Sequence, residues 1–178
     1  GSYTISSLST LVNALFVSAG PSSKGSMRQI QVKRGNRVIT TFDLYDLIIH
    51  GDKSKDVQLL PGDVIYIPPV GRQVAISGSI KVPAIYEIKV KSTLGDLVEW
   101  AGGLTTNASG QKVTVERIVD RNARKVDEFN LDKEKSVALR DGDLVNVYTL
   151  SPRVDNAVTL RGNVAQPMRF PWREGMRI

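Results

Sequence analysis

The sequence contains no cysteine and a single histidine, His50. Without thiols there is no disulfide, no thiolate metal site and no cysteine nucleophile, and the redox compartment stays open. One histidine without cysteine partners offers no zinc site, so His50 is expected in a loop or capping position. Aromatic residues make up only 6% and no nucleic-acid-binding motif accompanies them, which argues against nucleic acid as a partner. No apolar run reaches the ~18 residues that a membrane-crossing helix needs. No signal peptide opens the chain; its first two residues, "GS", are expected to be a cloning remnant, and the whole a soluble excised piece whose address and anchor lie elsewhere.

What is present is an ordinary globular composition over 178 residues, 41% hydrophobic and 24% charged. That length holds one large domain or two of about 80 residues each. A net charge of +6 admits anionic partners such as acidic polysaccharide or lipid head groups without selecting among them.

A repeat decides for two domains. "VQLLPGDVIYIPP" returns as "VALRDGDLVNVYTL", pairing Gly62 with Gly142 and Asp63 with Asp143. Alignment on Phe42 and Phe129 pairs Arg34 with Arg121 and Arg37 with Arg124, and leaves the first copy with seven additional residues, about "YDLIIHG". Upstream, "SLSTLVNALFVSAG" matches "TLGDLVEWAGGL" through Leu8/Leu94 and Leu11/Leu97; each opens on a capping Ser or Thr and ends in Ala-Gly. "VAISGSIKVPAIYEI" returns in part as "VTLRGNVAQPMRFPW", with Gly78/Gly162 and Pro83/Pro167. The chain therefore reads as residues 3–70, a first module without its opening hairpin; 71–152, a complete module; and 153–178, the hairpin of a third.

Within the complete module, strands are expected at 73–80, 84–89, 112–119, 126–131 and 144–150, with a helix at 93–101. Leu94, Leu97, Val98 and Ala101 form one apolar helix stripe, and a slip of alternation near Glu116 suggests a bulge there. An opening hairpin, one helix and further strands make an α+β, β-grasp-like module, a mixed sheet covered by one short helix.

Few residues suggest chemistry. Asp141 and Asp143 form a carboxylate pair, but the first copy has Pro61 in place of Asp141; the Gly-Asp step reads better as a turn in which glycine takes φ > 0 and aspartate binds local backbone N–H groups. "AGG" at 101–103 lacks the Lys-Ser/Thr of a phosphate loop and reads as a helix stop. The hairpin tips "KRGNR" and "DRNARK" each carry two arginines three apart, Arg34/Arg37 and Arg121/Arg124, suited to carboxylates of an acidic polysaccharide or of a neighbouring subunit. Trp100 is a candidate for stacking on a sugar ring, or else for core or module interface. No catalytic set, metal site or cofactor site emerges.

The ordered series "VAISGSIKVPAIYEI", "TLGDLVEWAGGLT" and "LRDGDLVNVY" resembles the soluble-ligand-binding β-grasp (SLBB) domains of outer-membrane polysaccharide export proteins, the Wza and KpsD type. Ala84 and Met168 stand where that family usually has glycine after the proline. The resemblance implies tandem SLBB modules in the periplasm at the outer membrane, as a non-catalytic part of an exopolysaccharide or capsule export protein. It further implies self-association of the full-length protein into a ring, an inner-membrane polysaccharide co-polymerase as partner, weak contacts to anionic or neutral polysaccharide, and membrane contact only through parts outside this chain. The alternative is a small-ligand or saccharide binding module with no transport role.

Overall fold

The computed structural model describes residues 9–120, 123–151 and 154–176. The elements run α1 (Leu11–Val17), β1 (Ile30–Arg34), β2 (Arg37–Phe42), α2 (Leu44–His50), β3 (Asp63–Tyr66), β4 (Gln73–Gly78), β5 (Ala84–Glu87), α3 (Leu94–Trp100), β6 (Ala108–Asp120), β7 (Ala123–Asn130), β8 (Leu144–Thr149), β9 (Ala157–Thr159) and β10 (Arg169–Pro171). They form an α+β fold with three sheets, ordered β2-β1-β3, β5-β4-β8-β6-β7 and β10-β9.

The second sheet is mixed: β4 runs parallel to β8, and its other pairs are antiparallel. Thr93 starts α3 through a capping box, accepting from Asp96 N at 3.3 Å while Asp96 Oδ2 accepts from Thr93 N at 2.8 Å. The helix stops at Ala101, where Gly102 and Gly103 take φ of 76° and 88°. Leu94, Leu97 and Ala101 are fully buried against Val74, Ile76, Val113, Val115, Val145 and Val147. Helix α1 covers the first sheet likewise, through Leu11, Val12 and Leu15 on Ile30, Val32 and Phe42.

The two halves repeat, at offsets that differ from the sequence alignment. Thr10 caps α1 and Leu11 N donates to Val57 O, as Leu94 N donates to Val137 O, both at 2.9 Å. Leu11 is thus the counterpart of Leu94, an offset of 83; Leu8, expected in that place, lies outside the described residues. A slip of three residues keeps leucines on one helical face, so periodicity alone cannot detect it. Carried back, the offset sets Tyr3 on Tyr86 and Ile5 on Ile88 in the sequence. Those first residues too lie outside the described ones.

The hairpins correct a second pairing. Val32 faces Ile65 and Val115 faces Val145, which makes Arg117, not Arg121, the counterpart of Arg34. The β6–β7 hairpin is longer, and β8 reaches only Glu116 on it. The expected bulge at Glu116 is absent: β6 and β7 stay in register through Ile118, and the shift falls between Ile118 and Asp120. Beyond Glu116 the ribbon has no core to bury, so alternation ends there, with Ile118, Val119 and Val126 exposed.

The seven additional residues of the first copy are helix α2, capped by Asp43, whose side chain accepts from Tyr45 N, and ended by Gly51 at φ 69°. His50 is the last residue of this helix. The third hairpin repeats the second in detail: Val74 faces Tyr86 and Val158 faces Phe170, while Ile88 N donates to Arg72 O and Trp172 N to Asn156 O.

Candidate functional site

The densest polar arrangement lies where the two large units meet. Glu87, at the end of β5, is buried, and its carboxylate reaches into the first unit: Oε1 accepts from Ser26 Oγ at 2.7 Å and Oε2 from Met27 N at 2.8 Å. Oε1 also accepts from Gly71 N at 2.8 Å, so the linker is held by the same group. In return Arg28 of the first unit donates Nε–H to the Glu87 carbonyl and Nη1 to Asp43 Oδ2, the latter at 3.0 Å. Lys89 Nζ closes on the same Asp43 oxygen at 2.8 Å. Two charges of each sign thus meet at the junction, Arg28, Asp43 and Glu87 buried and Lys89 half-exposed at its rim, and mutual pairing offsets the desolvation of the buried three.

Aromatic rings sandwich the cation. The Arg28 guanidinium carbon lies 3.9 Å from the Tyr45 ring centre and 4.2 Å from that of Trp100, and the two rings meet edge to face at 6.1 Å. Tyr45 also accepts from Glu87 N on its hydroxyl at 3.0 Å, and burial pushes the pKa of that hydroxyl up. Helix α2 is therefore a bracket: Tyr45 and Ile49, absent from the second copy, pack into the core of the second unit. A cleft of about 320 Å³ opens beside it, lined by Ser23, Met27, Tyr45, Gln73, Ile85 and Glu87.

Trp100, a candidate for sugar stacking, thus stands at this junction with its face on Arg28. Arg34 is clamped to Asp63 by two parallel hydrogen bonds of 2.7 and 2.8 Å. Arg117 holds Asp143 in the same manner at 2.8 and 2.6 Å. Each aspartate also accepts a backbone N–H of its own turn, from Leu60 and Arg140, which is the turn chemistry expected of the Gly-Asp step. Asp141 accepts from Gln73 N at 2.7 Å. Arg37 is exposed opposite Arg34, Arg124 is exposed and bonded to Glu116 at 2.6 Å, and Arg121 lies outside the described residues. Among the described residues, Arg34 is thus spent on its own turn, while Arg37 and Arg124 face solvent. His50 Nε2 lies 3.6 Å from Glu99 Oε1, a further link from α2 to α3. Among the described residues no group of three His, Cys, Asp or Glu could hold a metal ion.

The Arg34 clamp, with the Leu60 N–H, holds the Asp63 carboxyl down at about 2. A depressed folded pKa contributes stability above the unfolded value near 3.8 and loses it as pH falls toward 2. Wild type should therefore melt above Asp63→Asn at pH 5, with the gap closing between pH 4 and pH 2; a gap independent of pH would refute the clamp.

Arg28, Asp43, Tyr45, Glu87 and Arg117 escaped the sequence reading. The signals available were the insertion itself, which carries Tyr45 and Ile49, and a glutamate within an apolar strand end, "IYEI". Residues 73–126, from β4 into β7, match the SLBB domain family, a ligand-binding, non-catalytic domain family found in polysaccharide export proteins. No curated protein matches the chain.

Proposed function

We propose that this chain is a non-catalytic periplasmic part of an outer-membrane exopolysaccharide or capsule export protein, where it builds subunit contacts in a ring and guides the polymer delivered by an inner-membrane co-polymerase. The observation that carries this reading is the SLBB match at 73–126 inside a tandem of like units. The hydrogen-bonded junction between the units supports it, because a conduit wall needs its modules tied to one another. Sugar contacts fall to exposed cations such as Arg37 and Arg124, and must be weak, since a conduit that binds tightly does not release.

Two experiments test it. In cells producing the full-length protein, deleting this segment should abolish surface polymer without abolishing its synthesis; unchanged export sinks the reading. In solution, a carboxylated polysaccharide such as polygalacturonate should bind with about millimolar affinity, about −4 kcal/mol. That binding should weaken as salt rises and with Arg37→Glu plus Arg124→Glu.

The cleft beside Tyr45 and Glu87 favours a second reading, a saccharide or small-ligand module, because its volume of about 320 Å³ lies in the range of ligand pockets. Saturable one-to-one binding of a monosaccharide, lost on Gln73→Trp, would favour it over guidance of a polymer.

A further inference from the structure

The cleft of about 320 Å³ beside Tyr45 and Glu87 is built by both units, from residues between Pro21 and Glu87. Its floor is the outer face of the β4–β5 hairpin. Gln73 faces Glu87 across the two strands and Ile85 follows on the same side, while Val74 and Tyr86 turn to the core. Its wall is the first unit, through Tyr45 and the loop that carries Ser22, Ser23 and Met27.

The polar groups that line it are rich in unspent hydrogen-bonding capacity and poor in charge. Tyr45 accepts from Glu87 N, but its own O–H has no acceptor among the described residues, and burial, which raises the pKa of that hydroxyl, keeps the proton in place. The side-chain amide of Gln73 and the hydroxyls of Ser22 and Ser23 likewise hold no hydrogen bond among the described residues. Glu87 Oε2 accepts only from Met27 N, which leaves it a lone pair. Ile85, 65% exposed, and Val70 supply apolar surface. The single charge is the Glu87 carboxylate, for no lysine or arginine lines the cleft. We infer that the cleft takes one neutral pyranose unit, its hydroxyls on Tyr45, Gln73 and Glu87 and its C–H face on Ile85. A uronic acid is shut out, because its carboxylate would meet Glu87 with no cation between them. This inference rests on the second reading above, that the cleft binds a small ligand, and names the chemistry of that ligand.

The probes are the methyl glycosides of glucose, galactose and mannose and of their three uronates, titrated into the ¹⁵N-labelled 178-residue chain. At least one neutral glycoside should saturate one-to-one with a dissociation constant of about a millimolar. It should move the amide signals of Met27 and Gly71, whose N–H groups lie on the Glu87 carboxylate. The matching uronate should bind at least about tenfold more weakly, as like charges in one cleft require. Gln73→Lys puts a cation opposite Glu87 and should reverse the order, admitting the uronate; a gain of binding does not arise from misfolding. Uronates that bind the wild type as tightly as their neutral partners, or an order that Gln73→Lys leaves unchanged, would overturn the ligand class while the binding cleft stands. Saturable binding by neither kind, or binding that leaves the Met27 and Gly71 signals in place, would overturn both.

Discussion

Gly78→Ala should destabilise the second unit by more than ~4 kcal/mol, a range that single substitutions reach only through a steric or burial conflict. Gly78 ends β4 at φ 85°, and a Cβ there would lie 2.1 Å from Val147 O and 2.8 Å from Asn146 Oδ1. The first obstacle is the backbone of the parallel neighbour, which cannot rotate away. Relieving the clash means parting β4 from β8, and with it uncovering Val145 and Val147. Urea denaturation should show the midpoint collapse, while Gly142→Ala, at φ 81° with open space, should cost about 1–2 kcal/mol for the left-handed backbone alone. Equal losses at the two glycines would mean that the close approach of the strands is not what Gly78 serves.

Arg28→Ala should cost about 3–5 kcal/mol, the usual result of breaking one side of a buried ion pair. Asp43 would keep Lys89 but lose its buried partner, the Glu87 carbonyl would lose a donor, and Tyr45 and Trp100 would face a void. The contrast is Arg124→Ala: that pair with Glu116 lies in solvent, and its loss should shift stability by about 0.5 kcal/mol. Arg28→Lys should rescue little, because an ammonium cannot reach both Asp43 and the Glu87 carbonyl from between two rings. Calorimetry should also show the two units unfolding in separate steps in Arg28→Ala; a single cooperative transition of wild-type height would refute the role given to the junction.

The second unit was legible almost element by element because its information is local. Thr93 and Asp96 cap a helix within four residues, Gly102 and Gly103 stop it, and Val113 and Val115 alternate on one strand face. Offsets between copies were less legible: leucines repeat around a helix and arginines recur in hairpins, so a slip of three or four residues still aligns like with like. Arg34 was matched to Arg121 on that account, when pairing to the Gly-Asp aspartate singles out Arg117. The junction was not legible. Ser26 and Glu87 are sixty-one residues apart, and no periodicity marks either for the other. The inserted segment could be counted as seven residues; that it folds as a helix whose tyrosine enters the other unit's core required the chain in three dimensions.

Helix α2 has a consequence for how such an array can grow. The second unit passes from β7 to β8 without a helix, so it has no Tyr45 or Ile49 to offer whatever follows it. The grip therefore has a direction, from the amino-terminal unit onto its successor, and the two are not interchangeable words in one sentence. Transposing them in an engineered chain would keep every sheet and every turn yet leave the seam between them unstitched, so duplication of an entire module would lengthen the chain without lengthening its stiff part.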